Sequence, residues 1–359
     1  YVNNLHQHNR QISLAKIKQA LADENLVFFN RSQSGAYPPG SVFKLITALA
    51  ALEEGVIDEN STVDDQGTLK VGDYAYANWY FTQYGRVEGS LNVQKALARS
   101  NDIFFYKAAE WLGPSKLAEY ARLFGLGQTT GVQSSQEASG LVPEPAWKEK
   151  QKGETWYLGN TYHFGIGQGD LLVTPLQVAN FTQAIANRGV FCPSSFLPLT
   201  QQKCRDLLLA QKNLDLVLSG MIDACSSGGT AYPLFAHNQA VNNALVNEIT
   251  NQGALEKINA GMIACKTGTA EFGAADERGY RQTHAWTTAI VGTRQEQWQS
   301  VSTNDPQRDK WLDLIKIKPL PKTLIMTVLV ESSSDKIYSE GSQDAAPVIA
   351  EILAWMRGI

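Results

Sequence analysis

Ser34-Gly35-Ala36-Tyr37-Pro38-Pro39-Gly40-Ser41-Val42-Phe43-Lys44 is the stretch on which the reading of this chain turns. Tyr37-Pro38-Pro39-Gly40 forbids helix. From Ser41 to Glu54 the apolar residues Leu45, Ile46, Leu49 and Leu52 recur at helical spacing, and Gly55 supplies a stop. The segment predicts a rigid entry into a strongly apolar helix, with Ser41 in its first turn. Residues three apart share a helix face, so the Lys44 amine can reach the Ser41 hydroxyl. A serine hydroxyl needs an adjacent base to act as a nucleophile. Lysine serves as that base when burial or a neighbouring cation keeps it partly neutral. The N–H groups at the head of the helix would favour an oxyanion forming on an attacked carbonyl. Two further S-x-x-K matches, Ser13 to Lys16 and Ser333 to Lys336, lack the Pro-Pro-Gly entry. They fit roughly the one or two matches that chance gives a chain of this length. Taken alone, Ser41 could equally be an ordinary helix cap.

Two other polar signatures lie downstream. Ser100-Asn101-Asp102 falls between expected helices at about 91–99 and 103–112, where short polar residues commonly make turns. It could instead project a second hydroxyl into a cleft. Lys266-Thr267-Gly268-Thr269 ends a short β-rich run, Met262–Lys266. Gly268 would allow close approach of a substrate backbone. A free strand edge here could pair with an extended peptide, Lys266 and Thr267 taking its terminal carboxylate. An edge strand protected by lysine is the plainer alternative. Gly165-Ile166-Gly167-Gln168-Gly169 is read as a tight turn, because Asp170 breaks the dinucleotide-loop spacing.

Around these motifs the first half reads as helical. Segments are expected at about 13–23, from Ser115 to about Leu123, and from Thr174-Pro175 to Gly189. The second half adds strands at Ala285–Val291 and Thr323–Glu331 and a last helix from about Asp344 to Trp355. Helices first and strands later imply an α+β fold, a sheet covered by helices. With 359 residues, 43% hydrophobic and 18% charged, the chain is an ordinary globular mixture. Its 31 basic and 35 acidic residues give a net charge of −4, with no basic block for nucleic acid. No apolar run reaches the ~18 residues of a membrane span. Apart from His6-x-His8, the five histidines and four cysteines form no ligand spacing, so no metal is expected. Cys192 and Cys204 are read as two free thiols rather than a bridge, and the cysteine count leaves the compartment undecided.

The three signatures in this order resemble the set found in penicillin-recognising serine enzymes. Their flanks resemble class B penicillin-binding proteins: the Ser34–Lys44 stretch, Phe164–Gly169 followed by Val173-Thr174-Pro175-Leu176-Gln177, Lys266–Glu271, His284-Ala285-Trp286 and Asp344-Ala345-Ala346-Pro347. Trp156-Tyr157-Leu158-Gly159-Asn160-Thr161 looks most like the cell-elongation type, penicillin-binding protein 2. The resemblance runs from about Asn30 to Trp355. It implies a transpeptidase domain over 1–359, with a mostly helical subdomain at about 41–190. Helices plus an antiparallel sheet would fill about 200–359, with an insertion at 294–320.

By the same resemblance, Ser41 would be the acylated nucleophile, Lys44 its base and Ser100 a proton shuttle. Asp102 would stand third in the shuttle motif, where the family usually has asparagine. A carboxylate beside Lys44 would oppose base function, so Asp102 is expected to turn partly toward Lys266. Asn101, Lys266, Thr267, Gly268 and Thr269 would bind substrate, and the N–H groups of Ser41 and Thr269 would form the oxyanion hole. The implied reaction is D,D-transpeptidation of peptidoglycan stem peptides, without a cofactor and blocked by β-lactams. The implied partner is a membrane glycosyltransferase of the elongation machinery. The implied location is extracytoplasmic, tethered by an anchor expected upstream of Tyr1. Alternatives are a D,D-carboxypeptidase, a serine β-lactamase, for which the class A Glu-x-x-Leu-Asn segment is missing, and a β-lactam-sensing domain.

Overall fold

The Tyr37–Phe43 segment is clamped from two sides. Tyr37 exchanges backbone hydrogen bonds with Val173 (2.9 and 2.8 Å), and Gly40 N–H donates to Gly167 O at 2.8 Å. Gly40 has φ +55°, and a Cβ there would lie 2.6 Å from Thr269 O; a Cβ on Gly167 would meet Gly40 O at 2.1 Å. Only glycines let the three strips of backbone approach this closely. The coordinates come from a computed structural model. The structure describes residues 10–23, 26–132, 136–196, 204–244, 253–277, 279, 281–292, 323–333 and 335–357. The 294–320 segment, with Trp298 and Trp311, lies outside the described residues.

The clamp feeds a 3₁₀ turn, Gly40–Phe43, and then the α-helix Lys44–Glu53. The α-helix thus begins at Lys44, three residues later than the sequence pattern suggests. Every residue from Lys44 to Leu52 is buried, so the helix is a central pillar rather than an amphipathic surface element. Helices Asp102–Leu112, Pro114–Leu123 and Gln211–Ala224 pack around it. Full burial of Leu45, Ile46 and Leu49 is worth about 1.5–3 kcal/mol each and fixes what sits at the pillar's head.

Among the described residues, strands Ile263–Phe272, Gln282–Gly292 and Thr323–Val330 form an antiparallel sheet in chain order, leaving the first strand at an edge. That strand runs on to Phe272, so Lys266 lies inside it and not at its end. Pairing of Thr267, Gly268, Thr269 and Ala270 with Thr287, Trp286, Ala285 and His284 holds the glycine-containing stretch extended. Ala264, Ala270, Trp286 and Ile290 join the main core, whereas Ile263, Cys265, Ala289 and Val291 join a second cluster with Ile349 and Leu353 of the last helix. The helix Ala346–Arg357 starts slightly later than expected because a π-turn, Gly341–Ala345, precedes it.

The expected helical subdomain also contains two small strand pairs, Val63–Asp65 with Gly89–Leu91 and Thr68–Val71 with Tyr74–Ala77. The free-thiol reading of Cys192 and Cys204 is corrected. Phe191 pairs with Arg205 in a two-residue ladder, which brings the next residues to 4.2 Å between Cα atoms, and they are disulfide-bonded. Cys225 and Cys265 form a second disulfide.

Candidate active site

Ser41 sits in the 3₁₀ turn and Lys44 opens the helix behind it. In a 3₁₀ turn residues three apart eclipse, so the Lys44 stem starts directly beneath Ser41. Ser41 remains partly exposed while Lys44 is entirely buried. The Lys44 ammonium lies 5.6 Å from the Phe105 ring centroid.

Ser100 and Asn101 make a two-residue elbow between helices Val93–Arg99 and Asp102–Leu112. Ser100 ends the first helix in the left-handed region at φ +54°, a strained choice for serine that aims its hydroxyl at both lysines. Lys44 Nζ donates to Ser100 O at 2.8 Å and reaches Ser100 Oγ at 3.5 Å. Lys266 Nζ donates to Ser100 Oγ at 2.8 Å and to Thr267 O at 2.9 Å. One hydroxyl therefore joins two amines that are 222 residues apart in the chain (266 − 44).

Two expectations are corrected here. Asp102 turns to Lys44 and not to Lys266: Lys44 Nζ to Asp102 Oδ1 is 2.6 Å. Its other oxygen accepts from Trp79 N–H at 2.9 Å, and its own N–H donates to Asn78 Oδ1 at 3.0 Å. Asp102 is the first residue of its helix, and these contacts fix its direction. Asn101 is fully buried and structural. Its oxygen caps the helix at Phe104 N–H, and its Nδ2 donates to Asp65 Oδ2 at 2.7 Å. Gly268 also serves the protein itself. A Cβ there would lie 3.2 Å from Val42 N and 3.1 Å from Pro39 O, so the nucleophile segment uses the space expected for substrate backbone.

Sequence reasoning missed the support beneath the loop. Asp65 is fully buried and accepts from Gly67 N–H, Asn78 Nδ2 and Asn101 Nδ2, each at 2.7 Å. Asn78 thereby links Asp65 to Asp102. Thr230 was missed too; its Oγ1 lies 2.7 Å from Thr267 Oγ1. Asp65 and Thr230 sit in Asp-Gln-Gly and Gly-Gly-Thr stretches that read as turns, and no signal in one sequence separates them from other turn residues.

Burial pulls the Lys44 amine below its ordinary range, against the opposing pull of the Asp102 charge. Lys266 is lowered further, by burial first and by the Lys44 charge second. Each amine makes the other easier to deprotonate, and the hydroxyl between them gives a proton a path. A carboxylate arriving beside Lys266 would favour its charged form.

The penicillin binding protein transpeptidase domain family matches residues 5–312 of the chain. The peptidoglycan D,D-transpeptidase MrdA of Escherichia coli K12 is 37% identical over 181 residues, 50% of this chain and 28% of that protein. The Haemophilus influenzae MrdA is 35% identical over 191 residues, 53% of this chain and again 28% of the relative. The chain therefore spans well under a third of the length of these curated relatives. Penicillin-binding protein 2 of Pseudomonas aeruginosa, solved with WCK 5153, superposes with a TM-score of 0.70 at 27% identity, covering 95% of this chain and 63% of that one. Helicobacter pylori penicillin-binding protein 2 gives 0.68 at 29% identity, covering 96% and 53%. The family match spans most of the chain and the likenesses agree with it: the chain belongs to the penicillin-binding protein transpeptidase family, among its class B members of the elongation type.

Proposed function

We propose that this chain carries the D,D-transpeptidase activity of a peptidoglycan cross-linking enzyme, acting through a Ser41 acyl-enzyme that β-lactams trap. The convergence of Lys44 and Lys266 on Ser100 Oγ carries the reading. Lys266 and Thr267 receive the terminal carboxylate of a stem peptide. Lys44 takes the Ser41 proton as Oγ attacks the penultimate carbonyl. The N–H groups of Ser41 and Thr269 hold the oxyanion. As the intermediate collapses, Ser100 donates a proton to the departing D-alanine amine and is refilled from the adjacent amines. An amine on a neighbouring stem then takes the acyl group and restores Ser41.

The location we infer is extracytoplasmic, with membrane tethering upstream of this segment. Two disulfides among the described residues support an oxidising compartment. Helicobacter pylori penicillin-binding protein 2 has been solved in a complex with MreC. By that likeness we infer a partner in the elongation machinery, a membrane glycosyltransferase among the candidates.

The test is intact mass after incubation with benzylpenicillin. A stable adduct of one penicillin on the parent and none on Ser41→Ala supports the reading. Penicillin turned over within seconds would point to a β-lactamase instead, and an adduct on both proteins would exclude Ser41 as the nucleophile.

A further inference from the structure

The free edge of strand Ile263–Phe272 is already occupied at two points, each time by a side-chain carboxamide. Asn238, buried, accepts from Ile263 N–H at 2.7 Å and donates to Ile263 O at 2.9 Å. With its amide oriented so that both atoms have partners, Gln168 accepts from Glu271 N–H at 3.0 Å and donates to Glu271 O at 3.2 Å. Each carboxamide reproduces the two bonds that a neighbouring strand would make.

The register with Gln282–Gly292 is unbroken from Ile263 to Phe272. In an antiparallel pair, successive residues alternate between facing the partner and facing away. Ile263 and Glu271 face away, so Cys265, Thr267 and Thr269 do as well. Cys265 is covered by its disulfide to Cys225, and Thr267 O is taken by Lys266 Nζ. Among the described residues, what remains open between the two carboxamides is the N–H of Thr267 and of Thr269, and Thr269 O lies 3.3 Å from the Gln168 carboxamide nitrogen in the amide's other orientation.

We propose that Gln168 is a specificity-determining stop that ends the pairing of a donor peptide at its penultimate residue. The proposal rests on the transpeptidase reading, which puts the terminal carboxylate at Lys266 and Thr267 and the penultimate residue at Thr269. The next residue back lies opposite Ala270 and faces away from the strand, and the one before it, fourth from the C-terminus, would pair at Glu271, where the Gln168 carboxamide holds both groups. The stem must leave the sheet there. The edge therefore reads the terminal D-alanyl-D-alanine by backbone pairing, and leaves the third and earlier stem residues to side-chain contacts alone.

The experiment measures acyl-enzyme formation by intact mass for D-alanyl-D-alanine peptides of two to five residues, on the parent and on Gln168→Ala, with benzylpenicillin as a separate arm. The parent should acylate at rates within about threefold across the series. Gln168→Ala frees Glu271, and donors of four or more residues should gain about fivefold over the dipeptide, the worth of roughly one net hydrogen bond. The same length profile in both proteins, each labelled by benzylpenicillin, overturns the role of Gln168 alone. A parent rate that climbs tenfold with the fourth residue overturns it also. If neither peptides nor benzylpenicillin label Ser41 in the parent, the transpeptidase reading itself fails.

Discussion

The floor and the wall of the cleft treat polar groups in opposite ways. The floor is helical: Lys44, Asp102, Asn78, Asn101 and Asp65 form a buried network in which donors and acceptors are matched. The wall is the strand Ile263–Phe272, which is closed at both ends and, among the described residues, leaves the N–H groups of Thr267 and Thr269 open between them. A satisfied buried network is rigid because each broken bond strands a desolvated partner. Open strand groups gain a partner only when a peptide arrives. The difference assigns roles: the floor fixes the base, and the wall recognises the donor. The Ser100 hydroxyl touches both.

Mutations that sharpen this contrast should differ in what they damage. Lys44→Met removes the base and should slow Ser41 acylation by about 10³-fold, read as the second-order rate with a chromogenic β-lactam. Removing the Cys225–Cys265 disulfide, which pins the wall to helix Gln211–Ala224, should cost about 4 kcal/mol of stability. The 12-residue Cys192–Cys204 loop should cost about 3, and paired denaturant titrations of the two double-alanine variants compare them. Asp65→Ala orphans Asn78, Asn101 and Gly67 N–H together. It should lose about 3 kcal/mol in the same titration, since the floor depends on being fully bonded. Lys266→Ala should weaken acylation ten- to hundredfold, through lost capture of carboxylate-bearing donors, and should also lower the unfolding midpoint, because it strands Ser100 Oγ and Thr267 O.

The parts that sequence made legible are those whose chemistry is carried by residue type at short spacing. Ser41 and Lys44 three apart, the Ser100 loop and Lys266 were found as motifs, and the structure joins Lys44 and Lys266 at Ser100. The pillar helix was legible because Leu45, Ile46, Leu49 and Leu52 keep its period. Its head was not, because the 3₁₀ turn at Gly40–Phe43 is imposed by Gly167 and Thr269 from elsewhere in the chain. The direction of Asp102 was misread for the same reason. Local logic sets a carboxylate away from a base, but Trp79 and Asn78 fix it from a segment 23 and 24 residues upstream. Strands of three or four residues such as Val63–Asp65 carry too little alternation to register, and the Phe191–Arg205 ladder that joins two cysteines is only two residues long. Gln168 looked like part of a glycine turn because nothing local marks a side chain that bonds to a strand 103 residues later (271 − 168).

The central claim is that Lys44, held by Asp102, supplies the base for Ser41. Burial lowers the amine and the Asp102 charge raises it, so removing that charge must lower it further. The base works only when neutral, so the acylation rate climbs as pH rises through the Lys44 pKa. The direct measurement is the pH profile of acylation by a β-lactam for the parent and for Asp102→Asn. The account predicts that the acid limb of the variant moves to lower pH. An acid limb that stays in place, or moves to higher pH, would contradict it.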